Sequence, residues 1–228
     1  MPNELMLKFY SNFISKGNLC FDIGANIGNR TETFLQLQSK VIAVEPQNDC
    51  VEFLKKNYGT NPDLVVIQKI LGEKECETEM FLCNFSPLSS VSNSWMEAVK
   101  KSGRFSKYNW SKKQPIQMTT LDKLISEYGK PSFIKVDVEG SEYEVMKGLS
   151  QPIKMISLEF TPEFLDSTYL CLGHLSRLGV IQLNLSIGES MRLELGNWVS
   201  QQEMITILSR YKNNVHVFGD VYVKSLID

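Results

Sequence analysis

The chain is poor in the residues that usually build metal or hydrolase centres. Among its 228 residues there are two histidines, His174 and His216, and neither belongs to an H-E-x-x-H or G-x-S-x-G pattern. Zinc-peptidase and serine-hydrolase chemistry therefore have no carrier. Five cysteines (Cys20, Cys50, Cys76, Cys83 and Cys171) form an odd set with no C-x-x-C pair, several of them inside apolar runs where a thiol acts as a small hydrophobe. A reducing compartment, and so a cytoplasmic protein, is the expectation. No stretch approaches the roughly 20 apolar residues of a membrane span. Met1 to Phe13, broken by Asn3, Glu4, Lys8 and Asn12, lacks the apolar core of a signal peptide or anchor. Excess positive charge is also missing: the formal net charge is −2, which argues against nucleic acid or an anionic membrane as a bulk partner. Neither an internal repeat nor the phosphate-cradling G-x-x-x-x-G-K-[ST] pattern occurs.

What is present is ordinary globular composition, 43% apolar and 22% charged, which excludes disorder and coiled coil and supports one core at this length. Met6, Phe9, Tyr10, Phe13 and Ile14 recur at helical spacing before Gly17. A strand from Leu19 to Phe21 follows, then a small-residue loop and a helix with Ile27, Thr31, Phe34 and Leu35 on one face. Val41 to Val44 and Leu64 to Ile67 read as continuous apolar strands around a helix carrying Val51, Leu54 and Tyr58. Unbroken apolar strands alternating with helices are the pattern of a parallel sheet covered on both faces.

From 85 to 116 the rhythm stops. A serine-rich start (Ser86, Ser89, Ser90, Ser92, Ser94) leads into a basic section with Lys100, Lys101, Arg104, Lys107, Lys112 and Lys113 among Phe105, Tyr108 and Trp110. We read an insertion or lid within a single domain spanning 1–228. Its composition suits a solvated face or a patch for an anionic or glycan acceptor. The α/β pattern resumes with a capped helix at Thr120 and a strand from Phe133 to Val136. A second capping box is expected at Ser141 and Glu144, a strand from Ile153 to Phe160, a helix through Leu172, Leu175 and Leu178, and a strand from Val180 to Leu185. A capped helix at Ser200 and Glu203 precedes a last strand alternating Val215, Val217, Val221 and Val223.

In such sheets ligands sit outside the carboxyl ends of the strands. Asp22 and Gly24 follow the first strand, Glu45 the second, Asp137 and Glu139 the fourth, and Glu159 closes the fifth. Glu45 lies roughly 20 residues past the loop, where a carboxylate accepts the hydroxyl protons of a ribose. Asn26 stands where a dinucleotide loop would place its second glycine, so a ligand without pyrophosphate, such as S-adenosylmethionine, suits the loop better.

Phe21-Asp22-Ile23-Gly24-Ala25-Asn26-Ile27-Gly28, Val44-Glu45-Pro46, Thr120-Leu121-Asp122, and the run from Ile134 through Asp137-Val138-Glu139-Gly140 to Tyr143, with Lys147-Gly148, together resemble the FkbM family of methyltransferases. The resemblance covers most of Leu19 to Glu159. It implies a Rossmann-like class I methyltransferase fold: an α/β, mostly parallel seven-stranded sheet with helices on both faces and an antiparallel last strand. It also implies S-adenosylmethionine as donor, with methyl transfer usually to a hydroxyl of a sugar, glycan or natural-product-like small molecule. Carried over, it places Gly24, Ala25, Asn26 and Gly28 around the methionine tail, Asp22 behind that loop, Glu45 on the ribose and Pro46 against the adenine. Asp137, Glu139 and Glu159 are the candidate bases, Asp137 first. Adjacent carboxylates at the ends of strands four and five would raise one pKa or hold a divalent ion, though no metal ligand is assigned. Lys135, inside an apolar strand, pairs with one of these acids or snorkels to the sheet edge. The acceptor itself carries no decodable motif.

Overall fold

The computed structural model describes residues 4–85, 88–212 and 214–226. Met1, Asn3 and Ser86, used above, lie outside them. The first half of the main sheet alternates as the apolar runs require: α1 (Glu4–Tyr10), β1 (Leu19–Ile23), α2 (Asn29–Gln36), β2 (Lys40–Val44), α3 (Asn48–Tyr58) and β3 (Leu64–Ile67). After an inserted substructure come α5 (Leu121–Tyr128), β7 (Phe133–Val136), α6 (Glu142–Lys147), β8 (Met155–Phe160), α7 (Leu165–Leu178), β9 (Ile181–Ile187), α8 (Gln201–Ser209) and β10 (Gly219–Ser225). Strand order is β3-β2-β1-β7-β8-β10-β9. Neighbours are parallel except that β10 runs antiparallel to both β8 and β9.

Period-two alternation within the apolar runs sends side chains to two buried faces. Phe21, Ile23, Ile134, Val136, Ile156 and Leu158 pack with α5, α6, α7 and α8. Cys20, Val41, Phe133, Met155 and Tyr222 pack beneath α1 and α2, where Phe9, Tyr10, Phe34 and Phe133 meet edge to face at 5.1–5.7 Å. Each such ring contact adds roughly 0.5–1.5 kcal/mol beyond burial.

Three local expectations change. Ile27 precedes α2 and is 44% exposed, because the chain turns at Gly28 before the helix starts. The last strand begins at Gly219, leaving Val215, Val217 and an exposed His216 in the loop ahead of it. Thr120 does cap α5 through the Lys123 amide, and Ser200 with Glu203 forms a full capping box on α8. Ser141 and Glu144 form none: the Ser141 side chain makes no capping bond.

The 85–116 interruption is the middle of a larger unit. It is a three-stranded sheet, β4 (Ile70–Leu71), β6 (Trp110–Thr119) and β5 (Cys76–Cys83), carrying α4 (Asn93–Ser102). Its basic residues are largely spoken for. Arg104 pairs with Glu163 at 2.6 Å, Lys113 with Glu79 at 2.7 Å, and Lys100 lies 4.9 Å from the Trp110 ring.

Candidate active site

A cleft of about 340 Å³ opens at the carboxyl ends of β1, β2, β7 and β8, and the inserted unit walls it with Ile70, Leu71, Met80, Ser89 and Ser90. Asp22, Gly24, Ala25, Asn26, Glu45, Pro46, Asp137, Glu139 and Glu159 all line it. Gly28 does not, packing instead against Leu54 and Tyr58 of α3.

On the β1 side the glycine requirement has an internal origin. Gly24 adopts φ +83°, and a Cβ there would lie 1.8 Å from the carbonyl oxygen of Asp137. The residue is glycine because the loops after β1 and β7 cross at contact distance. The loop amides are consumed locally: Gly24 and Ala25 donate to Val44 O, Asn26 to Glu45 Oε2 at 2.8 Å, Ile27 to Asn26 Oδ1 at 2.7 Å, and Gly28 to Ala25 O. The first helical bond of α2 runs from Glu32 to Gly28 O. The amides of Asn29 and Arg30, both cleft-lining, therefore keep no partner among the described residues.

Asp22 is buried and accepts from Thr31 Oγ1 at 2.5 Å, tying the end of β1 to α2. Glu45 is also buried, its Oε1 accepting from the Gln47 amide at 2.9 Å. Burial pushes both carboxyls up, against the hydrogen bonds that hold them down.

On the β7 and β8 side, carboxylate oxygens of Asp137, Glu139 and Glu159 lie within 4.8 Å of one another. Beneath them Lys135, only 2% exposed, reaches Asp220 Oδ1 on β10 at 2.6 Å and Asp137 Oδ2 at 3.3 Å. It pairs with the acids and does not snorkel. Burial would lower the Lys135 pKa, but the charges of Asp137, Asp220 and Glu159 outweigh it and hold the ammonium well above its ordinary value. Asp137 is likewise opposed by burial yet held down by Lys135. Glu139 and Glu159 are pushed well up, by burial first and then by Asp137.

The turn between Asp137 and α6 is shaped in part by Trp95 and Glu142, to which the sequence reading gave no role. Glu139 takes φ +53°, a strained value for a side-chain-bearing residue, and Gly140 takes +90°. A Cβ on Gly140 would stand 2.2 Å from Trp95 of α4. Ser90 Oγ donates to Glu139 O at 2.7 Å, and Ser89 Oγ donates to Gln47 Oε1 at 3.1 Å, so the inserted unit is fastened to both sides of the cleft. Glu142 Oε1 accepts from the Val138 and Gly140 amides, both at 3.2 Å. Burial pushes its carboxyl up to about 7. The signal for Glu142 was its place two residues after Gly140, but the capping pattern pointed to Ser141 and Glu144 instead. Lys69, Arg30 and Glu189 also line the cleft and were not singled out. His174 bonds Leu149 O at 2.8 Å, away from the cleft.

The model of the methyltransferase FkbM domain matches residues 22–212. The chain belongs to the FkbM methyltransferase family. Two curated relatives are the methyltransferase sdnD of Sordaria araneosa, 29% identical over 154 residues (57% of this chain, 60% of that protein), and the hexuronic acid methyltransferase AglP of Haloferax volcanii, 26% identical over 142 residues (61% and 53%). The matches thus span little more than half of those relatives. A solved precorrin-6y C5,15-methyltransferase from Geobacter metallireducens superposes with a TM-score of 0.51 at 11% identity, covering 97% of this chain and 87% of that one. This likeness shows the class I methyltransferase fold for the seven-stranded sheet with its antiparallel β10.

S-adenosylmethionine is the cofactor this fold and family use, and the donor set of the FkbM domain suits it. Glu45 offers a carboxylate for hydroxyls, the free amides of Asn29 and Arg30 suit a carboxylate end, and Asp137, Glu139 and Glu159 favour a sulfonium charge. Among the described residues no helix is long and apolar enough to cross a membrane.

Proposed function

We propose that this chain transfers a methyl group from S-adenosylmethionine to a hydroxyl of a sugar, glycan or natural-product-like small molecule. One observation carries the reading: a single cleft sets Glu45 and the unpaired α2 amides on one side against three clustered carboxylates on the other. The bound donor supplies an electrophilic methyl carbon on a sulfonium. Glu45 accepts the ribose hydroxyls, Pro46 and Ile70 flank the base, and Asn29 and Arg30 take the carboxylate of the methionine tail. The walls formed by Met80, Ser89 and Ser90 exclude water and align the acceptor, which supplies most of the acceleration for an in-line displacement. The hydroxyl proton passes to the Asp137, Glu139 and Glu159 cluster. That one relative is a hexuronic acid methyltransferase supports a sugar-like acceptor.

The competing readings are a catalytically silent binding protein of the same fold and, less favoured by Asn26, an NAD(P)-dependent oxidoreductase. Thermal unfolding tests all three. S-adenosylhomocysteine at about 100 times its Kd should stabilise the chain by about 2.7 kcal/mol while NAD and NADP do nothing. Glu45→Gln should weaken S-adenosylhomocysteine about tenfold or more, given the worth of a hydrogen bond to a charged group. An unchanged affinity removes Glu45 from the ribose. Incubation with labelled donor and a panel of hydroxyl compounds then separates enzyme from binder, and an alkali-stable product marks an ether as opposed to an ester.

A further inference from the structure

We propose that Asp137, Glu139 and Glu159, joined by the Ser141 hydroxyl, form a binding site for one hard divalent cation on the acceptor side of the cleft. For its purpose, though not for its existence, this rests on the methyltransferase reading above.

The spacing suits a shared ion. Oxygens bound at about 2.0–2.6 Å on opposite sides of one cation stand roughly 4–5.2 Å apart. The three carboxylates here offer oxygens that all lie within 4.8 Å of one another. They therefore need no backbone movement to meet a common centre. The donor chemistry selects the metal class. The cleft lining contains carboxylates, hydroxyls and amides but no histidine or cysteine, a set for Mg²⁺, Mn²⁺ or Ca²⁺ and not for zinc or copper.

A second observation is independent of the acids. Ser141 is 4% exposed and lines the same cleft, yet its hydroxyl has no hydrogen-bond partner among the described residues and leaves α6 uncapped. The side chain is more than nine-tenths buried, yet its unpartnered oxygen keeps access to the cleft that the three carboxylates line, so it is available to a ligand there.

The protein's own cations do not fill the role. Lys135 is shared between Asp220 and Asp137, and Arg30 is bound to Glu189 at 2.7 Å and to the Tyr10 hydroxyl at 3.1 Å. Neither Glu139 nor Glu159 forms an ion pair among the described residues. Asp137 and Glu159 sit at the ends of the paired strands β7 and β8, a rigid frame for an ion. With the acceptor oxygen on such a cation, its proton leaves more readily. The O–CH₃ bond then forms as the S–CH₃ bond breaks, the electron pair going to sulfur and, with the carboxylates holding the ion, the proton to water in place of the cluster.

The test uses the full chain, stripped with a chelator, and the metals alone. Isothermal titration with MgCl₂, MnCl₂ and CaCl₂ should show one ion per chain, with Kd in the range of about 10⁻⁵–10⁻³ M, and a matching rise in the unfolding midpoint. Glu159→Gln and Glu139→Gln should each weaken it by roughly tenfold or more. Ser141→Ala should weaken it less. Because Gln removes repulsion, the metal-free variants should unfold no earlier than the native chain, which separates lost binding from lost folding. No binding of any of the three metals at about 10 mM overturns the proposal. So does binding that survives both Gln variants, or a cluster whose loss alters only the preference for S-adenosylmethionine over S-adenosylhomocysteine. S-adenosylhomocysteine binding in the stripped protein reports on the donor site separately, so failure of the cation site leaves the methyltransferase reading standing.

Discussion

Glu142 holds the turn that presents Glu139, and it does so as a buried carboxyl. It is 6% exposed, accepts two backbone amides, and has its pKa pushed from the ordinary glutamate value to about 7 by burial. For an acid whose folded pKa is raised, the native state binds the proton more tightly than the unfolded chain does. Its contribution to stability is therefore fully present below the unfolded pKa and is lost as pH rises towards 7. The span corresponds to at most roughly 3 kcal/mol. Glu142→Gln keeps an oxygen for the two amides and removes the charge. We expect the variant to match the native midpoint at pH 5 and to exceed it at pH 8. Equal pH dependence in urea unfolding of both proteins would show that Glu142 is not the buried acid responsible. Ser141, its neighbour, illustrates why short motifs mislead here: the capping pattern was present in sequence, but the hydroxyl faces the cleft and Glu142 takes the amides.

At the level of elements, the inserted unit acts as a wall of the site and not as a loose flap. Trp95, 1% exposed, fits over Gly140, while Ser92 caps α4 and Arg104 reaches both Glu163 and the Val217 carbonyl. Trp95→Ala should cost about 3–5 kcal/mol, the usual range for emptying a large aromatic site. Hydrogen exchange should then rise at the Glu139 and Gly140 amides as well as in α4. Exchange confined to α4 would mean that the Glu139–Gly140 turn stands without the insertion. This unit was the least legible part of the chain. Its strand β5 alternates half-buried and exposed residues, Glu77 and Glu79 facing outward, so the ribbon reads as polar. The strands of the main sheet are covered on both faces and announce themselves as apolar runs.

Across the whole molecule, the Lys135–Asp220 pair joins β7 to the antiparallel β10 over the intervening β8. Both residues are buried, so removing one partner strands a charge. Lys135→Met should destabilise by about 3–5 kcal/mol, and adding Asp220→Asn should restore a large part of the loss. Additive losses in denaturant unfolding would refute the pairing. Lys135 was marked in sequence as a cation inside an apolar strand, yet its partner lies 85 residues further on and on a strand whose neighbours depend on topology. A linear pattern cannot carry that information.

The local grammar belonged to the sequence alone. Apolar periodicity, the Asp22 to Gly28 loop, Glu45 after the second strand and the Asp137 to Gly140 stretch declared the α/β class, the family and the nature of the ligand. These features depend on residues close together in the chain. What only tertiary structure decided is which of those groups meet. Gly24 is glycine because Asp137 crosses it, the loop amides are spent on Val44 and Glu45 so that α2 keeps the free ones, and Asp137 shares its lysine with Asp220 on β10. Each of these outcomes follows from strand order and close packing, which fix distances between residues that sequence separation leaves free.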